Sequence, residues 1–393
     1  MRVVYVAFSK IKSPSRGNQI QCRRTFEALC KLNSDTFGIF LSDEGTGVSK
    51  EGNAFYINLK TNKFDWLEKK FKVAIVRKIL FPYLFIKKTF KILKTIEPID
   101  LAYVRIFGIS DAVYLIKRIH KLNIRRLVFE LHDLDYDISI YHHNFEIAIR
   151  KAQHKKLFKE LNSLYPEISL ATVTGSLAEA IKRDFNFTQP ISAISNGHDF
   201  ENKSPKIIDY NKKQFKITYA GLNFFKIKGI ECLIKSLNFL DDRFSVTLIG
   251  GNDRHRKDFE SKFKDLVHSK RLKILPPTGH EEVSKELYSS DFGILPLPGG
   301  RFSSFTSPLK MFEYMAIGLP IISSDVSAIR EVLSDGVNAI FFRPDDPRDL
   351  AEKIMYLVNN QEVARHLGQN AFMDSKKFTY EKRARKIINC LNL

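Results

Sequence analysis

Cysteine is scarce in this chain, and long apolar runs are missing from it. The four cysteines among 393 residues, Cys22, Cys30, Cys232 and Cys390, form no CxxC pair and have no histidine at metal-ligand spacing. Neither a disulfide framework nor a zinc site is signalled, and a reducing compartment is expected. No stretch approaches the roughly 18 consecutive apolar residues of a membrane-spanning helix. The opening MRVVYVAFSKIK has six apolar residues, Val3 to Phe8. That is too short for the core of a secretory leader and reads as a first strand. The expected localisation is cytoplasmic. Acidic residues are in deficit as well: 44 Asp and Glu face 63 Lys and Arg, a net charge of +19. The imbalance favours anionic partners, whether phosphorylated ligands, acidic membrane surfaces or nucleic acid.

What is present reads as an α/β protein. Short runs rich in Val, Ile, Phe and Tyr alternate with segments long enough for a helix. In the first half they are VVYVAF, TFGIFL, AFYINL, LAYVRIF, RLVFEL, SLATVTG and ISAISNG. Such alternation predicts βαβ units and parallel strands covered on both faces. The pattern breaks at DFENKSPKIIDYNKKQ, which is polar and aperiodic. It then restarts with KITYAGL, SVTLIGG, LKILPPTG, FGILPLP, PIISSDV and AIFFRP. The expected organisation is a first Rossmann-like domain over 1–200, a linker over 201–214 and a second Rossmann-like domain over 215–375. A final amphipathic helix over 376–393 is placed so that it can cross back to the first domain. Two facing doubly wound domains would put the ligand at strand carboxyl ends, in the cleft between them.

Two segments of the second half carry candidate chemistry. YAGLNFFKIKGIECLIKSL, residues 219–237, is a strand, a loop with Asn223, Lys226 and Lys228, and a helix starting near Gly229. A helix start gathers free N–H groups and partial positive charge, so lysines beside it suit a phosphate. A solvated loop would look the same. In TSPLKMFEYMAIGLPIISSD, residues 306–325, Ser307 reads as an N-cap and Pro308 as the first helical residue. Lys310 and Glu313 then share one face near the amino end. An intrahelical ion pair would account for them, yet a cation in a first helical turn is unfavourable unless an anion is present.

Beyond single motifs, FEYMAIGLPIISSD, REVLSDGVNAIFF and DDPRDLAEKI follow one another as in the donor-binding core of family 4 glycosyltransferases. FELHDLD, TVTGSLAEAI and AISNGHDF resemble that family's amino-terminal segments, so the resemblance covers nearly the whole chain. It implies a GT-B fold, a retaining transfer from a nucleotide-diphosphate sugar to an acceptor hydroxyl, and no cofactor or metal. It also implies roles. Glu313 would bind the ribose hydroxyls, and Lys228 the diphosphate. The backbone N–H groups of Ser307, Leu309 and Lys310 would meet that diphosphate. His132 would sit close to the donor sugar as the catalytic candidate. Two departures stand out. The arginine that often follows Gly221 is absent, with Lys226 as a substitute charge, and the first motif glutamate is replaced by Phe305. In the amino-terminal half, Arg16 and Gly17 lie in the loop after the first strand, and Arg105 ends a strand. These three are candidate acceptor contacts, although Arg105 reads equally well as a surface residue.

The segment 63–94 holds ten Lys and Arg against Asp65 and Glu68, interleaved with aromatic residues. This pattern suits an anionic membrane surface. Two ordinary amphipathic helices divided at Pro82 would fit it as well. No nucleic-acid-binding motif appears, so nucleic acid ranks below the membrane. A glycosyltransferase with a lipid-linked or surface-glycan acceptor is the expected function. A GT-B epimerase and a non-catalytic nucleotide-sugar or membrane-binding module are the alternatives.

Overall fold

A computed structural model describes residues 1–12, 17–44, 47–59, 74–105, 121–134, 144–164, 167–200, 204–221 and 229–392. The chain divides into two units, Met1–Ser195 with Tyr380–Leu393, and Asn196–Thr379. The last helix, Tyr380–Asn389, is therefore part of the first unit.

The first unit is built on one sheet of β1 (Val3–Lys10), β2 (Thr36–Ser42), β3 (Val48–Glu51), β4 (Ala54–Asn58), β5 (Ile99–Arg105), β6 (Ile124–Leu131), β7 (Ile168–Thr172) and β8 (Ile191–Ala193). The order is β3-β4-β2-β1-β5-β6-β7-β8, and every pair is parallel except β3 with β4. Successive residues of β1 from Val3 to Ala7 are all buried, as a strand covered on both faces requires. On one face Val3, Tyr5, Leu101, Tyr103 and Val128 pack under the helices Gly17–Leu32 and Tyr380–Asn389. The edge strand β3 has no signature in the sequence, because all four of its residues are exposed and no apolar face selects it.

One alternative weighed for this unit fails. A single helix, Ala74–Ile96, runs through Pro82, where the alternative reading of the basic segment divided it in two. Proline inside a helix costs about 3 kcal/mol. The continuous apolar side formed by Phe85, Ile86, Ile92, Leu93 and Ile96, all buried, outweighs that cost.

The second unit holds β9 (Phe215–Gly221), β10 (Phe244–Gly250), β11 (Leu272–Leu275), β12 (Gly293–Leu295), β13 (Ile321–Ser324) and β14 (Ile340–Phe342). They run β11-β10-β9 and β12-β13-β14, all parallel, and a bridge between Ile217 and Phe292 sets β9 beside β12. Helix Pro347–Asn359 starts within the DDPRD segment. Asp346 accepts from the N–H groups of Arg348 and Asp349, with Pro347 in the first turn.

The segment expected as a linker is instead packed on this unit over its described part. Ile208 and Tyr210 are buried in the core of the unit, and the Lys206 N–H donates to Ile317 O at 2.8 Å. Its polarity hid two anchors spaced one residue apart.

Candidate functional site

In a doubly wound sheet the strand order reverses at one point, and the carboxyl ends there are left open to a ligand. The second unit has this point at β9 and β12. Helix Leu309–Ile317 is seated on those two strands by Tyr314, whose hydroxyl donates to Thr218 O at 3.3 Å. Gly293 makes the seat possible, since a Cβ there would lie 2.7 Å from the Tyr314 ring.

The docking fixes where the helix begins. Lys310 is half-buried, and its Nζ lies 4.6 Å from the centre of the Tyr219 ring. It also lies 3.5 Å from where a Cβ on Gly221 would stand, at the end of β9. Burial pushes the Lys310 pKa down, and the Glu313 carboxylate partly restores it. An incoming anion would act in the same direction as Glu313. Glu313 is half-buried one turn along the same helix. The structure thus brings Lys310 to the carboxyl end of β9, with Glu313 close enough on the same helix to act on its charge.

The cap differs from the expected one. Pro308, with extended ψ of 130°, is itself the N-cap and Leu309 is the first helical residue; no side chain caps the helix. Ser307 is held by its carbonyl, which accepts from Asn196 Nδ2 at 2.7 Å. The proline ring fixes φ and leaves ψ free, so it fits the cap as well as the first turn. Among the described residues no side-chain oxygen is bonded to the first N–H groups, which suits the helix start to a ligand oxygen.

Gly229 closes the neighbouring loop. Its φ is +60°, and a Cβ would fall 1.4 Å from Pro296 O. Only glycine fits at this approach to Pro296, the residue that follows β12. Lys228, Lys226 and Asn223 lie outside the described residues, as does Arg16. Phe305, the missing carboxylate, is 5% exposed in the short turn Ser303–Phe305, with the Arg301 guanidinium 5.5 Å from its ring.

Asn196, Gly197 and His198 entered the sequence analysis only within a resemblance, and the structure gives them structural work. A Cβ on Gly197 would meet Phe378 O at 2.6 Å, and His198 Nε2 lies 3.1 Å from Ser375 O. Nothing in the sequence pairs residue 196 with 307, since that contact depends on the fold of the unit.

In the first unit the order reverses between β1 and β5. Arg105 ends β5 and is buried, which overturns the surface reading. Its guanidinium donates to Asn18 O at 3.2 Å and to Cys22 Sγ at 2.9 Å, and approaches His132 Nδ1 at 3.5 Å. Gly17 is the first residue of the helix that carries Asn18 and Cys22. His132 follows β6 with 22% of its side chain exposed, and its Nε2 is bonded to Glu130 Oε1. Burial and the Arg105 charge lower the His132 pKa to about 4, against the pull of Glu130. The ring is neutral at physiological pH and a weak base, so it is suited to a hydrogen-bonding or steric role more than to proton abstraction. Burial would raise the Glu130 carboxyl, but Arg383, His132 and Arg105 together hold it well below the usual carboxylate range. Arg383, from the last helix, was missed by sequence reasoning because 253 residues separate it from Glu130.

Residues 214–360 match the family model described as Glycosyl transferases group 1. The chain is 30% identical over 200 residues to an uncharacterized glycosyltransferase of Methanocaldococcus jannaschii, covering 48% of this chain and 54% of that protein. It is 24% identical over 151 residues to the N,N'-diacetylbacillosaminyl-diphospho-undecaprenol alpha-1,3-N-acetylgalactosaminyltransferase of Campylobacter jejuni, covering 38% of each. The chain thus matches about half or less of the length of these two relatives. Among solved structures it resembles sucrose-phosphate synthase from Thermosynechococcus elongatus, with a TM-score of 0.75 at 16% identity over 99% of this chain and 97% of that one. It also resembles Anabaena HepE in complex with UDP-glucose, with a TM-score of 0.65 at 14% identity over 100% and 99%. These likenesses show that the fold is GT-B.

Proposed function

We propose that the chain is a glycosyltransferase of family 4 type that moves a sugar from a nucleotide-diphosphate sugar to an acceptor hydroxyl with retention of configuration. The observation that carries this is the placement of Lys310. A half-buried ammonium with a depressed pKa stands at an uncapped helix start, beside the glycine that ends β9. Glu313 on the same helix is the ribose ligand in this reading, and Lys228 and Lys226 add charge toward the diphosphate. In the reaction the bond from the anomeric carbon to the diphosphate oxygen breaks and its electron pair leaves with the nucleoside diphosphate. The acceptor oxygen bonds to that carbon and gives up its proton. Positive charge at the leaving group is the main catalytic term, and it comes from side chains and N–H dipoles without a metal.

The acceptor in this reading is lipid-linked or part of a surface glycan, bound by the first unit through Arg16, Gly17 and Arg105. An anionic membrane is the proposed partner. Exposed Lys87, Lys91 and Lys94 recur at helical spacing on Ala74–Ile96, and Lys151, Lys155, Lys156 and Lys159 are exposed on Asn144–Ser163. No helix among the described residues is long and apolar enough to cross a membrane.

The test is a titration with UDP, GDP and ADP, followed by turnover of the corresponding sugar donors with and without acceptor. The wild type should bind one nucleotide, Glu313→Ala should weaken that binding, and His132→Ala should slow turnover without loss of nucleotide affinity. Equal affinity in wild type and Glu313→Ala would refute the donor site. The buried Phe305 motivates a second reading, in which nucleotide is bound and nothing is transferred. Binding without turnover of any donor would favour it.

A further inference from the structure

The first unit buries two full charges that nothing in its core demands. Arg383 is 3% exposed and Glu130 is fully buried, among Tyr5, Tyr103 and Val128. The Arg383 guanidinium is satisfied on three sides. Nη2 donates to Glu130 Oε2 at 2.6 Å, Nη1 to Ile194 O at 2.6 Å and Ser195 O at 2.8 Å, and Nε to Thr25 Oγ1 at 3.3 Å. A buried ion pair is weak evidence for stability, because apolar residues of similar volume do as well or better. The pair therefore calls for another reason.

The second carboxylate oxygen supplies one. Glu130 Oε1 is bonded to His132 Nε2, and the opposite nitrogen, Nδ1, faces Arg105 Nη2 at 3.5 Å. A guanidinium has only donors. Nδ1 must then be the lone-pair nitrogen, and Nε2 carries the proton toward the carboxylate. Both edges of the ring are set by charged groups, and the group that sets Glu130 comes from the far end of the chain.

We infer that Arg383 is a positioning residue for His132: it anchors Glu130, and through Glu130 it fixes the orientation of the ring and its Nε2–H tautomer. The functional weight of this rests on the reading above, in which His132 is the catalytic candidate; the positioning itself does not. Helix Tyr380–Asn389 is by this account part of the site on the first unit, although no residue of it touches His132 in the hydrogen bonds described. Without Arg383 the carboxylate keeps Arg105 as its cationic neighbour in the cluster and turns toward it, which frees the ring.

Nitrogen-15 spectra of the histidine rings in the full-length protein read the tautomer directly, with His132→Gln assigning the signal. The wild type should show a single Nε2–H pattern for His132 at neutral pH. Arg383→Met should give a mixed or Nδ1–H pattern, Arg383→Lys an intermediate one, and Arg385→Met, an exposed neighbour paired with Glu381, no change. With a donor identified, Arg383→Met should lower kcat on the order of tenfold to 100-fold with little change in KM. Should Arg383→Met fail to fold, Glu130→Gln/Arg383→Met removes both buried charges and should release the tautomer in the same way. An unchanged nitrogen pattern in these variants, with only a lower melting temperature, would make Arg383 purely structural and overturn the inference. If the tautomer is released while His132→Ala turns over normally, the positioning stands and the catalytic reading of His132 falls.

Discussion

Replacing Lys310 by methionine is the sharpest perturbation available to the donor site. Methionine keeps an unbranched stem over Tyr219 and removes only the charge. In the free protein that charge is disfavoured by burial. The variant should therefore melt at the same temperature as the wild type or higher. A hydrogen bond to a charged group is worth about 1.5–3 kcal/mol. Loss of one phosphate contact should then weaken nucleotide affinity about 10-fold to 150-fold. The pH dependence has a definite sign. The folded pKa of Lys310 lies below its unfolded value, so the unfolded chain holds more protons between the two. In the free protein, stability attributable to this group therefore rises as pH increases through that window. Nucleotide binding runs the other way: affinity falls as pH rises through the lowered pKa and the ammonium is lost. Calorimetric titration with the best-bound nucleotide at neutral and alkaline pH measures both effects. Full affinity in Lys310→Met, or the same alkaline loss in variant and wild type, would refute the assignment of Lys310 to the diphosphate.

Other perturbations follow from the same geometry. Gly229→Ala must place a Cβ 1.4 Å from Pro296 O at a φ of +60°. Left-handed backbone alone costs about 1–2 kcal/mol, and with the displaced carbonyl the loss should exceed about 3 kcal/mol in urea unfolding; a loss under about 1 kcal/mol would contradict the packing. Acid should destabilise the first unit early. The His132 pKa falls from 6.5 to about 4 on folding, so its contribution is intact above pH 6.5 and is lost as pH drops toward 4. That loss amounts to about 3 kcal/mol. The depressed Glu130 carboxyl adds to it below its own unfolded value. Urea midpoints that stay level from neutral pH to pH 4.5, or a slope that survives in His132→Gln, would count against this. Lys87, Lys91 and Lys94 changed together to Gln should lose about 1 kcal/mol each in attraction to phosphatidylserine-rich vesicles. Equal co-sedimentation of the triple variant and the wild type would remove the membrane from the proposal.

Much of the fold was legible because strands covered on both faces must be apolar throughout. Of the fourteen strands among the described residues, thirteen fall in runs that the sequence announces, and β3 does not, because its four residues are exposed and only Val48 is apolar. Asp346 and Thr174 cap their helices with side-chain oxygens, as their residue types favour. The start at Pro308 was misplaced by one residue, because its cap uses no side chain. The 204–214 segment hid its packing behind lysines and a proline. The alternative that divided the helix at Pro82 fails because local propensity carries no term for the burial that overrides it.

The sequence by itself determined the alternation of strands and helices, the glycines at 221 and 229, and the pairing of Lys310 with Glu313 on one helical face. Each of these is a local matter of period, steric room or spacing. Only the tertiary structure decided where those groups point. It set Lys310 over Tyr219, gave the Ser307 carbonyl to Asn196, buried Arg105 beside His132, and tied Glu130 to Arg383 from the last helix. Contacts between residues 27 to 253 positions apart have no local signature. They exist because the packing of helices on parallel strands brings distant parts of the chain to the carboxyl ends of those strands.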